Sequence, residues 1–265
     1  MKLSVFAVIL LALAESVVSS QWIHFKADGV PRLRSGEPDL NAPVPRAANG
    51  KPDLSGIWYL ALPGTTALGQ ADYVAAPEFF DIGATLPGGL PYQPWAAALV
   101  RQRKANNGAD DPIGVCRPSG AIRLLTLPPP RKIVQLPALI LILSERDVTY
   151  RQIFLDGRPR LNDPEPTWNG YSTGAWDGDS LVVSTVGLRD ETWLDRNGSP
   201  MTASARVRER FHRMTYGRLD IELTVDDMKA YTRPWTVTLT QILAPDTELL
   251  DYHCLDNEKD AGRIR

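Results

Sequence analysis

The stretch GAWDGDSLVVSTVG, residues 174–187, predicts two antiparallel strands that fold back on each other at Asp177-Gly178. Asp-Gly favours the type I′ turn of a tight β-hairpin, because both positions of that turn need a positive φ. Two further strand pairs flank turn-forming residues later in the chain: ARVRERFHRM with RLDIELTV, and WTVTLTQIL with ELLDYHC. Three successive hairpins predict an antiparallel meander.

Strand signals also precede this hairpin, in SGIWYLAL, KIVQL, ALILIL and VTYRQIFL. Later in the chain, Leu219, Ile221, Leu223 and Val225 alternate with polar residues, as expected of a strand with one buried face. About ten strands in up-and-down order hide their edges most easily by closing on themselves. The sequence therefore predicts a mainly β fold, an antiparallel up-and-down meander that closes into a lipocalin/calycin-like barrel.

The chain begins with a predicted leader and an arm. Residues 1–20 carry Lys2, an apolar run and small residues at their end. This pattern predicts a secretory signal peptide cleaved near Ser20-Gln21, and a secreted or periplasmic protein. Residues 21–53 are rich in proline and arginine and lack an apolar period. We expect an extended arm that is poorly ordered unless it docks on the barrel.

Residues 54–257 are predicted to form a single β-barrel domain, followed by a charged tail at 258–265. An insertion rich in glycine, alanine and proline occupies residues 63–130. It contains one helix signal, at about 94–106, where Pro94 suits the first turn and Asn107-Gly108 suits the end.

Composition and motifs narrow the classes of partner. The formal net charge of -2 gives no basic excess for nucleic acid or an anionic membrane surface. No stretch after the leader is long enough to span a bilayer. The chain lacks a Walker loop, a dinucleotide fingerprint and a G-x-S-x-G elbow, and its three histidines show no metal-binding spacing. We therefore expect no cofactor and no metal, and a small-molecule ligand or substrate as the partner, with the oligomeric state open.

The chain has two cysteines, Cys116 and Cys254. In an oxidising compartment they predict one disulfide that ties the end of the chain to its middle. A free thiol pair and a metal site are the alternatives, although no C-x-x-C spacing supports a metal.

The strand ARVRERFHRM offers a candidate acid or base. Val207, Glu209 and Phe211 share one face, and the other face carries arginines and His212. If the apolar pair marks the inside, Glu209 is an inward carboxylate, whose pKa burial would raise. It would then suit general acid–base chemistry, unless an inward arginine such as Arg151 or Arg123 neutralises it and holds the sheet together. Both interpretations stay open.

Predicted loops at the barrel rim carry aromatic and charged residues. In GLRDETWLDRNGSP, Trp193 stands among Asp190, Glu191 and Asp195. This pattern suits sugar binding or the gating of a cavity, or a tryptophan that anchors a solvated loop. Asn197-Gly198-Ser199 matches a glycosylation sequon, which matters only in a eukaryotic host.

Two upstream loops add further candidates. PEPTWNGYS contributes Trp168 and Tyr171 ahead of the central hairpin. The turn DGRPR contributes Arg158 and Arg160, which could clamp a carboxylate or phosphate or simply expose their charges.

Several of these motifs together resemble a large group of secreted bacterial proteins of unknown function. They are KPDLSGIW, Cys116 with the following Arg-Pro, IFLDGRP, PTWNGYSTGAWDGDSLVVST, DETWLDRNGSP, RERF and LLDYHC. The resemblance covers roughly residues 51 to 257, and its W-x-G-D-x-L-V-V core is specific. A histidine is expected after the proline of the G-x-P loop in that group, where this chain has Met201. Gly56-Ile57-Trp58 is also similar to the G-x-W that opens the first strand of lipocalin-type barrels, which implies an apolar-lined cup.

Two functional hypotheses result. The first is a barrel that binds a small, partly apolar molecule in an internal cup, oriented by Glu209 or an inward arginine. The proposed ligand-binding residues are Trp58, Phe154, Trp168, Trp176, Trp193, Phe211, Tyr252, Arg151 and Arg158. The second is a cofactor-free acid–base enzyme, an isomerase, lyase or hydrolase, that uses the same cavity with Glu209 as acid or base. Its candidate partner residues are Asp190, Asp195, Tyr171 and His212.

Overall fold

The computed structural model describes residues 25–61, 81–146 and 148–254. The predicted signal peptide, part of the insertion and the predicted charged tail lie outside the described residues. Among the residues described, no helix is long and apolar enough to cross a bilayer.

The described chain forms nine strands and one α-helix. The strands are β1 (Gly56–Leu60), β2 (Arg131–Leu136), β3 (Leu139–Ser144), β4 (Tyr150–Phe154), β5 (Tyr171–Asp177), β6 (Ser180–Val186), β7 (Arg206–Arg213), β8 (Arg218–Asp226) and β9 (Trp235–Leu243). Each strand pairs with its neighbours in sequence, and β9 returns to β1, with Trp58 opposite Leu243. The barrel is closed, so the predicted fold class is confirmed.

One strand pair departs from the predicted antiparallel order. β4 and β5 run in parallel and share two residue pairs, Ile153 with Ser172 and Phe154 with Thr173. They are parallel because residues 155–170 carry the chain back to the end of the barrel where β4 began. Every other neighbouring pair is antiparallel, with three to eight residue pairs. The β4–β5 seam is therefore the weakest hydrogen-bonded joint of the barrel.

The third predicted hairpin is wrong, because ELLDYHC does not form a strand. β9 already pairs with β8 on one side and with β1 on the other, so no edge is left for another strand. Residues 244–254, here called the C-terminal strap, instead cross the outside of the barrel and make an isolated bridge from Tyr252 to Arg146. At the end of the strap, Cys254 forms a disulfide with Cys116, with Cα atoms 5.5 Å apart. The predicted disulfide is confirmed.

Alternation along the strands separates a packed interior from the outer surface. The predicted apolar face of β8, which carries Leu219, Ile221, Leu223 and Val225, is buried. These side chains join one continuous core with residues of the other strands. Each large apolar side chain that is fully buried stabilises the fold by about 1.5–3 kcal/mol.

The insertion covers the end of the barrel at which β1 finishes. Helix α1 (Pro94–Ala105) lies close to its predicted bounds and ends before Asn107 and Gly108, which both have positive φ. A later segment of the insertion, residues 121–125, is buried against the core. Its Leu125 carbonyl accepts hydrogen bonds from Arg131 of β2 (2.5 Å) and Gln241 of β9 (3.3 Å). These bonds fix the segment over the barrel mouth.

The arm docks at the opposite end of the barrel and contains a tandem repeat. Residues 30–40 and 44–54 share the pattern V-P-R-x-x-x-G-x-P-D-L. In both copies the arginine donates to the carbonyl of the repeat's own glycine and forms a two-point ion pair with a distant aspartate. The partners are Asp246 for the first copy and Asp179 for the second. Each copy ends in a buried leucine, so the repeat plugs this end of the barrel.

Candidate functional site

A charged pair, Arg151 of β4 and Glu209 of β7, lies in the centre of the barrel, with both side chains fully buried. Nη1 of Arg151 donates to Oε1 of Glu209 at 2.8 Å, and Nη2 donates to Oε2. The guanidinium also donates to Oγ of Ser172 (3.2 Å) and to Oγ1 of Thr185 (2.9 Å). Glu209 is thus an inward carboxylate, and Arg151 is the inward arginine that neutralises it.

This network joins four consecutive strands across the β4–β5 seam. Arg151 lies on β4, Ser172 on β5, Thr185 on β6 and Glu209 on β7. All three guanidinium nitrogens donate to these partners, and both carboxylate oxygens accept. Because the seam has only two residue pairs, the side-chain bonds reinforce the joint where the backbone contributes least. This arrangement fits a structural role for the pair.

The other candidate catalytic residues lie away from Glu209. His212 points out of the opposite face of β7, and its Nδ1 is 3.1 Å from Oγ of Ser180. Tyr171 lies on the outer face of β5, with its ring centroid 5.7 Å from that of Phe154. Asp190 is exposed and accepts a hydrogen bond from the amide of Ala203. The structure therefore does not bring these residues together around the inward carboxylate.

Asp195 ties two loops at the end of the barrel that the insertion covers. Its buried carboxylate accepts hydrogen bonds from the amides of Ile82 (3.2 Å) and Ser199 (3.1 Å). Burial raises the pKa of Asp195, and the hydrogen bonds from Ser199 and Ile82 oppose that rise. The Ser199 hydroxyl lies 2.7 Å from the hydroxyl of Tyr92. The serine of the sequon is thus buried in a polar contact between loops.

Trp193 is the anchor of its loop. It is 2% exposed, and the guanidinium carbon of Arg103 lies 4.3 Å from its ring centroid. Met201, at the position where the resemblance expects a histidine, is buried in the core.

Two proposed cup residues, Trp58 and Phe211, belong to the barrel core, and a third, Trp176, is partly buried and packs against that core. Trp58 and Phe211 are 0% and 1% exposed. The indole nitrogen of Trp58 donates to the carbonyl of Leu54 at 3.0 Å. These side chains therefore fill or cover the packed core, and Trp58 also bonds to the end of the arm.

Arg213 beside Trp58 is a buried cation that sequence reasoning missed. Its guanidinium carbon lies 5.0 Å from the Trp58 ring centroid, and it donates to the backbone carbonyls of Asp53, Thr215 and Tyr216. Burial lowers the pKa of Arg213 to about 10. Arg213 follows Phe211 by two residues, so the alternation along β7 places it on the inner face with Glu209 and Phe211.

The remaining proposed ligand-binding residues lie outside the barrel. The Arg158 guanidinium stacks 3.7 Å from the Phe154 ring centroid and pairs with Asp156. Trp168 is half-buried beside Arg189, and Tyr252 is exposed on the C-terminal strap. Arg158 therefore has an intramolecular anion as its partner.

An open groove of about 520 Å³ lies on the outside of the barrel, between β3, β4 and the C-terminal strap. The loop that joins β3 to β4 forms one end. The lining residues are Leu141, Leu143, Ser144, Val148, Thr149, Tyr150, Gln152, Leu249, Leu250 and Asp251.

The groove exists because β3 is apolar on both faces. Ile140 and Ile142 point into the core, whereas Leu141 and Leu143 point outward and are half-buried. The outer face of β8, by comparison, carries aspartate, glutamate and threonine. An unbroken apolar run is typical of strands covered on both sides. The run LILIL was the one sequence signal for this groove, and the strap that completes it had been predicted as a strand.

Among the described residues, no group of three histidine, cysteine, aspartate or glutamate side chains is placed to hold a metal ion. A scan against protein-family models and a search of curated proteins find no match to the chain.

Proposed function

We propose that the protein is a secreted or periplasmic binding protein that holds a small, partly apolar molecule in the groove between β3, β4 and the C-terminal strap. The observation that carries the proposal is the apolar outer face of β3, where Leu141 and Leu143 line a groove of about 520 Å³. That volume falls within the roughly 300–1,000 Å³ typical of small-molecule sites. The outer groove takes the place of the expected internal cup, because Trp58 and Phe211 already pack against the core.

The lining indicates the chemistry of the ligand. Six of the ten lining residues are leucine, valine or tyrosine, three are uncharged polar residues, and Asp251 is the one with a formal charge. A ligand with an apolar body and a neutral or cationic polar group fits this lining. A carboxylate or phosphate on the ligand would face Asp251 without a lining cation to balance it.

Two features favour a ligand site at this place. Val148, at the rim, has φ of 47°, a left-handed conformation that a β-branched residue rarely adopts. Such residues cluster at ligand-binding sites, where the surrounding structure holds them in place. The barrel behind the groove is closed and packed, so that β3 and β4 form a rigid wall.

The proposed compartment rests on the disulfide and on the N-terminal sequence. A disulfide that closes a long loop persists in an oxidising environment. The apolar leader and the resemblance to secreted bacterial proteins support the same assignment.

A neutral fluorescent probe, N-phenyl-1-naphthylamine, tests the groove directly. Its emission rises on transfer from water to an apolar site, so a titration yields an affinity. We expect saturable binding to the wild-type protein and about tenfold weaker binding to Leu141→Gln, because loss of about half of one leucine contact is worth about 1.4 kcal/mol. Val182→Gln is the matched control, since Val182 is also outward and half-buried but lies on β6.

Equal probe affinity in the wild type and Leu141→Gln would overturn the proposal for this groove, as would the absence of saturable binding. Weaker binding to both variants would point to a general effect on the fold. A naphthyl probe with a carboxylate should bind less tightly than the neutral probe if Asp251 shapes the preference.

A further inference from the structure

We propose that the Cys116–Cys254 disulfide is a redox latch on the ligand groove: its reduction releases the C-terminal strap and removes one wall of the groove. This inference rests on the proposed function, because it concerns the regulation of the same site. The strap supplies Leu249, Leu250 and Asp251 to the lining, so the groove requires the strap in place.

The strap is attached firmly at its start. The backbone carbonyl of Asp246 accepts a hydrogen bond from the amide of Phe25 (3.2 Å), and its carboxylate receives two bonds from Arg32, at 2.7 and 2.9 Å. Arg32 belongs to the first arm repeat, which ends in the buried Leu40. The beginning of the strap is therefore tied to the plug at the end of the barrel.

The middle of the strap has weaker attachments. It forms no continuous ladder with the barrel, and two of its polar contacts are made by side chains of the barrel: Lys132 with Glu248 (2.6 Å), and Oε2 of Glu145 with the Leu250 amide (3.1 Å). Both members of the Glu248–Lys132 pair are more than one-third exposed, and such exposed ion pairs contribute little to stability. We expect these contacts alone to be too weak to hold the strap against the barrel once its far end is released.

The disulfide is the strong attachment at the far end. Near it, the Arg146 guanidinium carbon lies 5.4 Å from the Tyr252 ring centroid, on an exposed surface. Cys254 bonds covalently to Cys116, which follows the 3-10 turn Pro112–Val115 in the insertion. Both cysteines are partly exposed. A small dithiol in solvent can therefore reach the bond without unfolding the barrel.

The redox step is a thiol–disulfide exchange with a dithiol reductant. One thiolate of the reductant attacks a sulfur of the Cys116–Cys254 bond, which forms a mixed disulfide and releases the other cysteine as a thiolate. The second thiol of the reductant then attacks the mixed disulfide and leaves as part of an oxidised, cyclic disulfide. Two electrons and two protons pass to the protein, whose two cysteines become thiols.

Hydrogen exchange and probe binding together test the latch, with dithiothreitol as the reductant. We expect reduction to speed exchange of the Leu249 and Leu250 amides by at least tenfold. Amides of β7 and β8 should still exchange far more slowly than those of the strap, although loss of the cross-link lowers the stability of the whole fold. The affinity for N-phenyl-1-naphthylamine should fall by at least fivefold. A Cys116→Ser/Cys254→Ser variant should match the reduced protein in both measurements. Dithiothreitol should not change that variant further, which controls for direct effects of the reductant.

The outcomes separate this inference from the proposed function. If the oxidised protein fails to bind the probe, the proposed function fails, and strap exchange alone decides whether the latch exists. If the oxidised protein binds and reduction changes neither strap exchange nor affinity, the latch is overturned. Strap release with unchanged affinity also overturns it as a control of the groove. Equal exchange rates for the strap and for β7 and β8 after reduction would show that the disulfide serves the whole fold instead.

Discussion

Replacing Glu209 by glutamine should destabilise the barrel strongly, although the two side chains have nearly the same shape. In the native protein, Glu209 supplies the negative charge opposite Arg151 in a site where both side chains are 0% exposed. Glutamine would leave the guanidinium charge buried without an anion and would direct an amide donor toward it. Breaking a buried pair in this way costs about 3–5 kcal/mol.

The magnitude can be checked by urea unfolding followed by tryptophan fluorescence at pH 7. Two comparisons isolate the charge. Arg151→Met/Glu209→Leu removes both partners and should be far more stable than Glu209→Gln, because buried ion pairs are often replaced by apolar residues at little cost. Asp177→Asn removes an exposed partner of Arg210, in a pair that is 37% and 69% exposed, and should change the stability little.

A loss below about 1 kcal/mol in Glu209→Gln would refute the reasoning, because the buried cation would then tolerate the missing anion. A double variant as unstable as the single one would show that packing, and not charge, is the cause. Thermal unfolding also distinguishes this structural role from the acid–base hypothesis, in which Glu209→Gln would lower turnover by about 10²–10⁴ and leave the fold intact.

Three further predictions concern the arm, a loop and the disulfide. Leu54→Ala should lower the free energy of unfolding by about 2–5 kcal/mol, since Leu54 is 1% exposed. Arg46→Ala should cost far less, because its ion pair with Asp179 is about half exposed and screened by solvent. Urea titrations of both variants compare two positions of one repeat, and equal losses would contradict this ranking. Burial raises the pKa of Asp195 in the folded protein. Its contribution to stability is therefore full below the pKa of about 3.9 in the unfolded chain, and is lost as pH rises through the folded pKa. Asp195→Asn should flatten the pH dependence of the unfolding free energy above about pH 4, and an unchanged slope would argue against the raised pKa. The Cys116→Ser/Cys254→Ser variant should lose up to about 5 kcal/mol of unfolding free energy relative to the oxidised protein, because the disulfide joins residues 138 apart in sequence. An unchanged urea midpoint would show that the cross-link does not restrict the unfolded chain.

Local patterns in the sequence were sufficient for most of the architecture. In β8, apolar residues alternate with polar ones, at Leu219, Ile221, Leu223 and Val225. A period of two is enough to show which face of a strand is buried, wherever the strand lies in the fold. Pro94 and Asn107-Gly108 likewise bracket α1 because helix ends depend on the residues beside them. The arm shows what composition alone misses: its proline and arginine content suggested poor order, yet its repeat of eleven residues places Arg32, Arg46, Leu40 and Leu54 for docking.

The sequence by itself was enough to predict the barrel class, and it favoured an inward Glu209 and a disulfide between the two cysteines, because a strand period and a count of thiols need no knowledge of distant neighbours. Only the tertiary structure decided that β1 pairs with β9 and closes the barrel, that β4 and β5 run in parallel, and that Arg151 is the partner of Glu209. It also decided that the apolar outer face of β3 meets Leu249 and Leu250, more than 100 residues later, to form a groove. Contacts across such separations depend on how the whole sheet closes, and the residues that make them carry no local signal of the partner they will meet.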